Sequence, residues 1–183
     1  MASSDARAGA GGSRRQWEVQ AWEAGPWLLL EGALTHAAAN ALYCAPLLRD
    51  VFFRLLGKSE QGVQRLALRC LLRFRESAAL QGYADMLERL LGGADTLRNE
   101  MARLPLHRGA GVVQEAHREQ VVPVVIRLLL GRMLTRKGRG AKDSPRVRRA
   151  AVLSYLASLD RAELAYFVQL LVQSFGGAEL VTR

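Results

Sequence analysis

The chain has 183 residues, half of them hydrophobic and 23 % charged, which excludes a disordered polypeptide and fits one domain or a short run of helical repeats. Its formal net charge of +9 is concentrated: eight Lys or Arg stand between Arg132 and Arg149 against Asp143 alone, leaving the remainder nearly neutral. Such a run implies an acidic partner, nucleic acid or an acidic protein surface, and no small-molecule substrate is expected.

In chain order, residues 1–15 form an Ala/Gly/Ser-rich leader with three arginines and one acid, read as disordered; a transit peptide is the other reading of that composition. A helical-repeat segment is predicted over 16–175, followed by a tail at 176–183. It opens with a short helix over 17–24 and an apolar, Ala-rich buried helix over 27–43. Residues 47–56 form the next helix, stopped by Gly57. Ser59 then caps a helix whose Val63, Leu66, Ala67, Cys70, Leu71 and Phe74 recur at helical spacing, while Gln64, Arg65, Arg69 and Arg73 point away from that stripe. Tyr83, Met86, Leu87, Leu90 and Leu91 repeat the pattern before Gly92-Gly93. Leu66, Cys70, Leu87 and Leu90 are therefore expected in the core.

Asp95 opens a short helix that Pro105 stops, and residues 106–111 read as loop. A long apolar helix follows over 117–134, with Pro123 either in its first turn or kinking it. Residues 135–143 form a basic, glycine-containing loop. Ser144-Pro145 supplies a cap and a first-turn proline for the helix ending near Leu159, and Asp160 with Glu163 gives a capping-box-like start to the last helix. No alternating strand pattern occurs. The fold class is all-α, with stacked antiparallel helix pairs in a HEAT/armadillo-like α-solenoid segment. A globular bundle with the same helix count is the competing architecture.

The residues that would carry chemistry are scattered. His36, His107 and His117 have no His or Cys neighbour at ligand spacing, so no metal site is expected. The two cysteines, Cys44 and Cys70, look buried, fit a reducing compartment and suggest no disulfide framework. Glu88, Glu100 and Glu119 fall on solvent-like helix faces, unlike the paired buried carboxylates of acid/base catalysis. Neither a phosphate-cradling glycine loop nor a nucleophile elbow is present, so no catalytic or cofactor-binding residues are expected. Glu31, His36 and Arg127 interrupt the apolar stretches, and no membrane span is expected.

The basic segment stands above this background. Arg136, Lys137, Arg139 and Lys142 are expected on an exposed loop, and Arg146, Arg148 and Arg149 on the first turns of the following helix. All seven are candidate contacts to an RNA backbone; the same charges also read as a solvated loop. No aromatic is interleaved, so base stacking is not indicated, and Trp17, Trp22 and Trp27 near the N-terminus read as packing residues.

The second half of the chain resembles a known family. His117-Arg118 leads to Pro123, Arg127 and Leu128-Leu129-Leu130-Gly131-Arg132-Met133, similar to the family's "HR…PxxxRxLxGRM" signature. Residues 63–71, Tyr83 and 97–100 match upstream segments in the same order; 148–153 and 164–175 match downstream. The family is the very large HEAT-repeat component of the small-subunit processome, also called "down-regulated in metastasis", and the similarity covers about 42–175. Its members are far longer, so the resemblance implies a fragment or a truncated gene product. Leu130 stands where the family usually carries an aromatic. The resemblance implies a nucleolar, non-catalytic scaffold. Its partners would be pre-rRNA, the U-three small nucleolar ribonucleoprotein and other processome proteins, in processing towards 18S rRNA. Two further readings are a HEAT/armadillo-type protein–protein adaptor without RNA contact and, from the leader, a mitochondrial RNA-associated protein.

Overall fold

From Val121 to Met133 the sequence is apolar save for Arg127 and Arg132, and such a helix is stable when neighbours cover most of it. The computed structural model bears this out. It describes residues 44–135 and 144–174; the leader, the helices expected over 17–24 and 27–43, residues 136–143 of the basic loop and the tail lie outside the described residues.

Among the described residues there are eight α-helices and no strand. They are α1 (Ala45–Leu55), α2 (Gln61–Leu71), α3 (Ala78–Gln81, preceded by a 3-10 turn at Arg75–Ser77), α4 (Ala84–Leu90), α5 (Ala94–Arg103), α6 (Glu115–Leu134), α7 (Pro145–Leu156) and α8 (Arg161–Ser174). α1 packs on α2 and α4 on α5, while α6 takes α2, α3, α4, α7 and α8 around it. The result is an all-α, solenoid-like stack whose hub is α6. Pro123 lies well inside α6, past the first turn, where it leaves the Glu119 carbonyl without a helical donor.

Local signals account for several helix ends. The Ser144 side chain accepts a hydrogen bond from the Val147 amide at 3.3 Å, with Pro145 at the first helical position. The Asp160 amide donates to Glu163 at 3.1 Å, one half of a capping box. Between α5 and α6, Gly109 and Gly111 have φ of 88° and 73°, conformations that side chains bearing a Cβ rarely adopt.

Several expectations need correction. Leu66 is only half-buried; Leu68, off the expected stripe, is fully buried instead, because α2 has α1 on one side and α6 on another. Cys70, Leu87 and Leu90 are buried as expected. Gln64 is also fully buried, not turned away: its Nε2 donates to Leu56 O at 2.6 Å and Leu128 O at 3.0 Å, tying α1 to α6. Glu100 is buried between Arg103 at 3.2 Å and Arg89 at 3.8 Å, where the expectation was a solvent-facing position. Cys44 is exposed. Ser59 does not cap α2; Glu60 takes the N-cap position without a side-chain bond to the helix, and Ser59 Oγ donates to the Glu60 carboxylate.

Candidate nucleic-acid interface

The signature residues on α6 serve the fold. Arg118 is buried and donates to both carboxylate oxygens of Glu163, at 2.6 and 2.8 Å, and to the Leu106 carbonyl at 2.6 Å. One guanidinium thus joins α6, the loop before it and α8, in the two-pronged geometry that makes arginine–carboxylate pairs strong. Arg127 lies 4.4 Å from the Phe53 ring centroid and 5.6 Å from that of Tyr166, and donates to the Tyr166 hydroxyl at 2.7 Å. Gly131 has no room for a Cβ, which would collide with the Lys58 carbonyl and the Gln64 amide. Arg132 is buried and donates to Gly92 O at 2.8 Å. His117 Nδ1 meets the Tyr83 hydroxyl at 3.2 Å, the two rings edge to face. Tyr155 donates to Leu104 O, and burial raises its phenol pKa, keeping the proton in place at neutral pH.

A further set of contacts gathers at one corner of the molecule, where α6 ends. The last carbonyls of a helix lack intrahelical donors and carry partial negative charge. Here Thr135 Oγ1 donates to Gly131 O, Arg148 Nε to Arg132 O at 3.0 Å, and Arg149 Nε to Met133 O at 3.0 Å. Arg148 also donates to Thr135 O at 2.7 Å. The expectation that Arg146, Arg148 and Arg149 all project from α7 is therefore corrected for Arg148, which is buried. Cations at the positive N-terminus of a helix such as α7 are unfavourable by themselves. The C-terminus of α6 lies against it, and its carbonyls take two of the three guanidinium groups. Arg146 and Arg149 remain exposed; Arg136, Lys137, Arg139 and Lys142 lie outside the described residues.

The same corner holds the α1–α2 and α4–α5 turns. Thr135 Oγ1 reaches Ser59 O at 2.8 Å, and Gln61 Nε2 and Arg65 Nη2 reach Leu91 O at 2.9 and 3.4 Å. Exposed Lys58 and Arg65 thus stand beside the point where the basic run leaves α6, a neighbourhood that sequence reasoning did not find. The only signal for it was the four-residue spacing of arginines along α2. Among the described residues, no group of His, Cys, Asp and Glu is arranged to hold a metal ion, and no helix is long and apolar enough to cross a membrane.

Eight helices packed around a buried hub make the described residues an all-α, solenoid-like module. The sequence profile of the family described as U3 small nucleolar RNA-associated protein 20, N-terminal, matches residues 35–183, and the chain belongs to this family. Two curated relatives, both described as U3 small nucleolar RNA-associated protein 20, are similar to it. The Schizosaccharomyces pombe protein is 27 % identical over 132 residues, covering 72 % of this chain. The Saccharomyces cerevisiae protein is 32 % identical over 130 residues, covering 70 %. The chain covers 5 % of the length of each relative.

Proposed function

We propose that this chain is part of a non-catalytic scaffold of the nucleolar small-subunit processome. In this reading it works with the U3 small nucleolar ribonucleoprotein and other processome proteins in pre-rRNA processing towards 18S rRNA. Family membership carries the reading, since both relatives are named for association with the U3 small nucleolar RNA. The basic corner supplies its physical side. Arg136, Lys137, Arg139 and Lys142 follow directly on a rigidly capped helix end, with exposed Arg146 and Arg149 on the far side of the run. Their role is sequence-independent pairing with RNA phosphates, and Arg148 positions the run by holding α7 to α6.

The test replaces Arg136, Lys137, Arg139 and Lys142 with Ala together and measures affinity for a structured RNA across a salt series. Loss of three or four phosphate contacts flattens the log–log slope by about two to four units. Unchanged slope and affinity would leave the run as solvated charge. A second reading, a protein–protein adaptor, is favoured by the outer faces of α7 and α8, where Leu153, Leu164 and Val168 are exposed.

A further inference from the structure

Between Gln61 and Arg75 the sequence holds four arginines and no acid. Arg65, Arg69 and Arg73 are exposed at four-residue intervals, the first two on α2 and the third on the turn that continues it. At 1.5 Å rise per residue, neighbours in this row stand about 6 Å apart along the axis. Like charges at that spacing work against a helix. Glu88 on α4 pairs with Arg69 at 3.3 Å, and Arg65 bonds the neutral Leu91 carbonyl.

The row also has a defined origin. Arg65 and Gln61 bond Leu91 O, Arg132 bonds Gly92 O, and Thr135 bonds Ser59 O. The first arginine of the row therefore stands at the corner where α6 gives way to the basic run and where Lys58, Arg146 and Arg149 are exposed. From there the row leads away along α2.

We infer that Arg65, Arg69 and Arg73 form a second phosphate-binding track that carries an RNA strand from this corner along α2. The inference rests on the proposed RNA-associated function and adds to it a site on a different element. Three arginines at four-residue intervals suit a ligand whose charges also repeat, and each planar fork is suited to two phosphate oxygens at once. No aromatic residue interrupts the row, so the track takes backbone and not base, without sequence preference. The Arg69–Glu88 pair is a competitor for the ligand, since the carboxylate occupies the position a phosphate would take.

The experiment measures binding of a 20-nucleotide oligouridylate to the 183-residue chain across a salt series. Three variants are compared: Arg65→Gln/Arg69→Gln/Arg73→Gln, Glu88→Gln, and the four-alanine variant of Arg136, Lys137, Arg139 and Lys142. The triple variant flattens the log–log slope by about two units, three contacts at roughly 0.7 each for a single strand. Glu88→Gln, which removes this competing carboxylate, tightens binding several-fold at low salt and keeps the test decisive if the triple variant fails to fold. An unchanged slope in a folded triple variant, or no tightening by Glu88→Gln, overturns the track. Loss confined to the four-alanine variant would uphold the RNA reading while removing the track; no effect in either would remove both. Polyglutamate binding as tightly as the oligouridylate, with the same loss in the triple variant, would assign the row to an acidic protein and overturn the inference.

Discussion

Arginine does two different jobs in two regions of this molecule, and composition alone does not tell them apart. On α6, Arg118, Arg127 and Arg132 are satisfied inside the fold by a carboxylate, two aromatic rings and backbone carbonyls. Along α2 and at the start of α7, Arg65, Arg69, Arg73 and Arg146 are exposed to solvent. The first set makes helix–helix joints; the second gives the surface its charge. Net charge counts both equally, yet only the second is available to a polyanion.

The largest effect expected is from Arg118→Ala. It removes the charged partner of Glu163, itself largely covered, and the donor to Leu106 O. Breaking a buried pair by deleting one partner costs about 3–5 kcal/mol, read by chemical unfolding. RNA affinity measured where the variant is still folded is expected to keep its salt slope. A loss below about 1 kcal/mol would erase the distinction between the two regions.

A second contrast tests the core. Leu87→Ala removes a fully buried side chain and is expected to cost about 2–5 kcal/mol, whereas half-buried Leu66→Ala costs under about 2 kcal/mol. Equal losses in the unfolding midpoints would contradict the orientation of α2. The smallest contrast lies within the basic segment itself. Arg148→Ala leaves the Arg132 and Thr135 carbonyls without this donor and is expected to cost about 1–3 kcal/mol, against about 0.5 kcal/mol or less for Arg146→Ala. Thermal unfolding of the two variants separates a helix-end cap from a surface charge two residues away.

Most helices were legible because their signals are local. Apolar spacing located α2 and α4, Ser144-Pro145 marked the start of α7, and Glu163 closes back on the Asp160 amide as its spacing implied. The largely apolar composition of α6 marked it as a helix, and the structure buries most of it. What stayed hidden depends on partners distant in sequence. Gln64 is buried because two carbonyls, Leu56 and Leu128, meet it there, and nothing on α2 shows that. Glu100 is buried by its place between Arg89 and Arg103. Arg148 read as a candidate RNA contact on the first turns of α7, since the facing end of α6 is a tertiary fact. The candidate interface was legible in the same measure: the basic run stands out as composition, while Lys58 and Arg65, which stand near the end of α6, lie far away in the chain.

The central claim is that the exposed cations, and not the buried ones, bind RNA through its backbone. It is tested most directly by the salt dependence of oligouridylate affinity for the unaltered chain between about 50 and 200 mM. With roughly five to seven phosphates engaged at about 0.7 per contact, the log–log slope is expected near −3.5 to −5. A slope close to zero, with affinity unchanged across the range, would contradict the account.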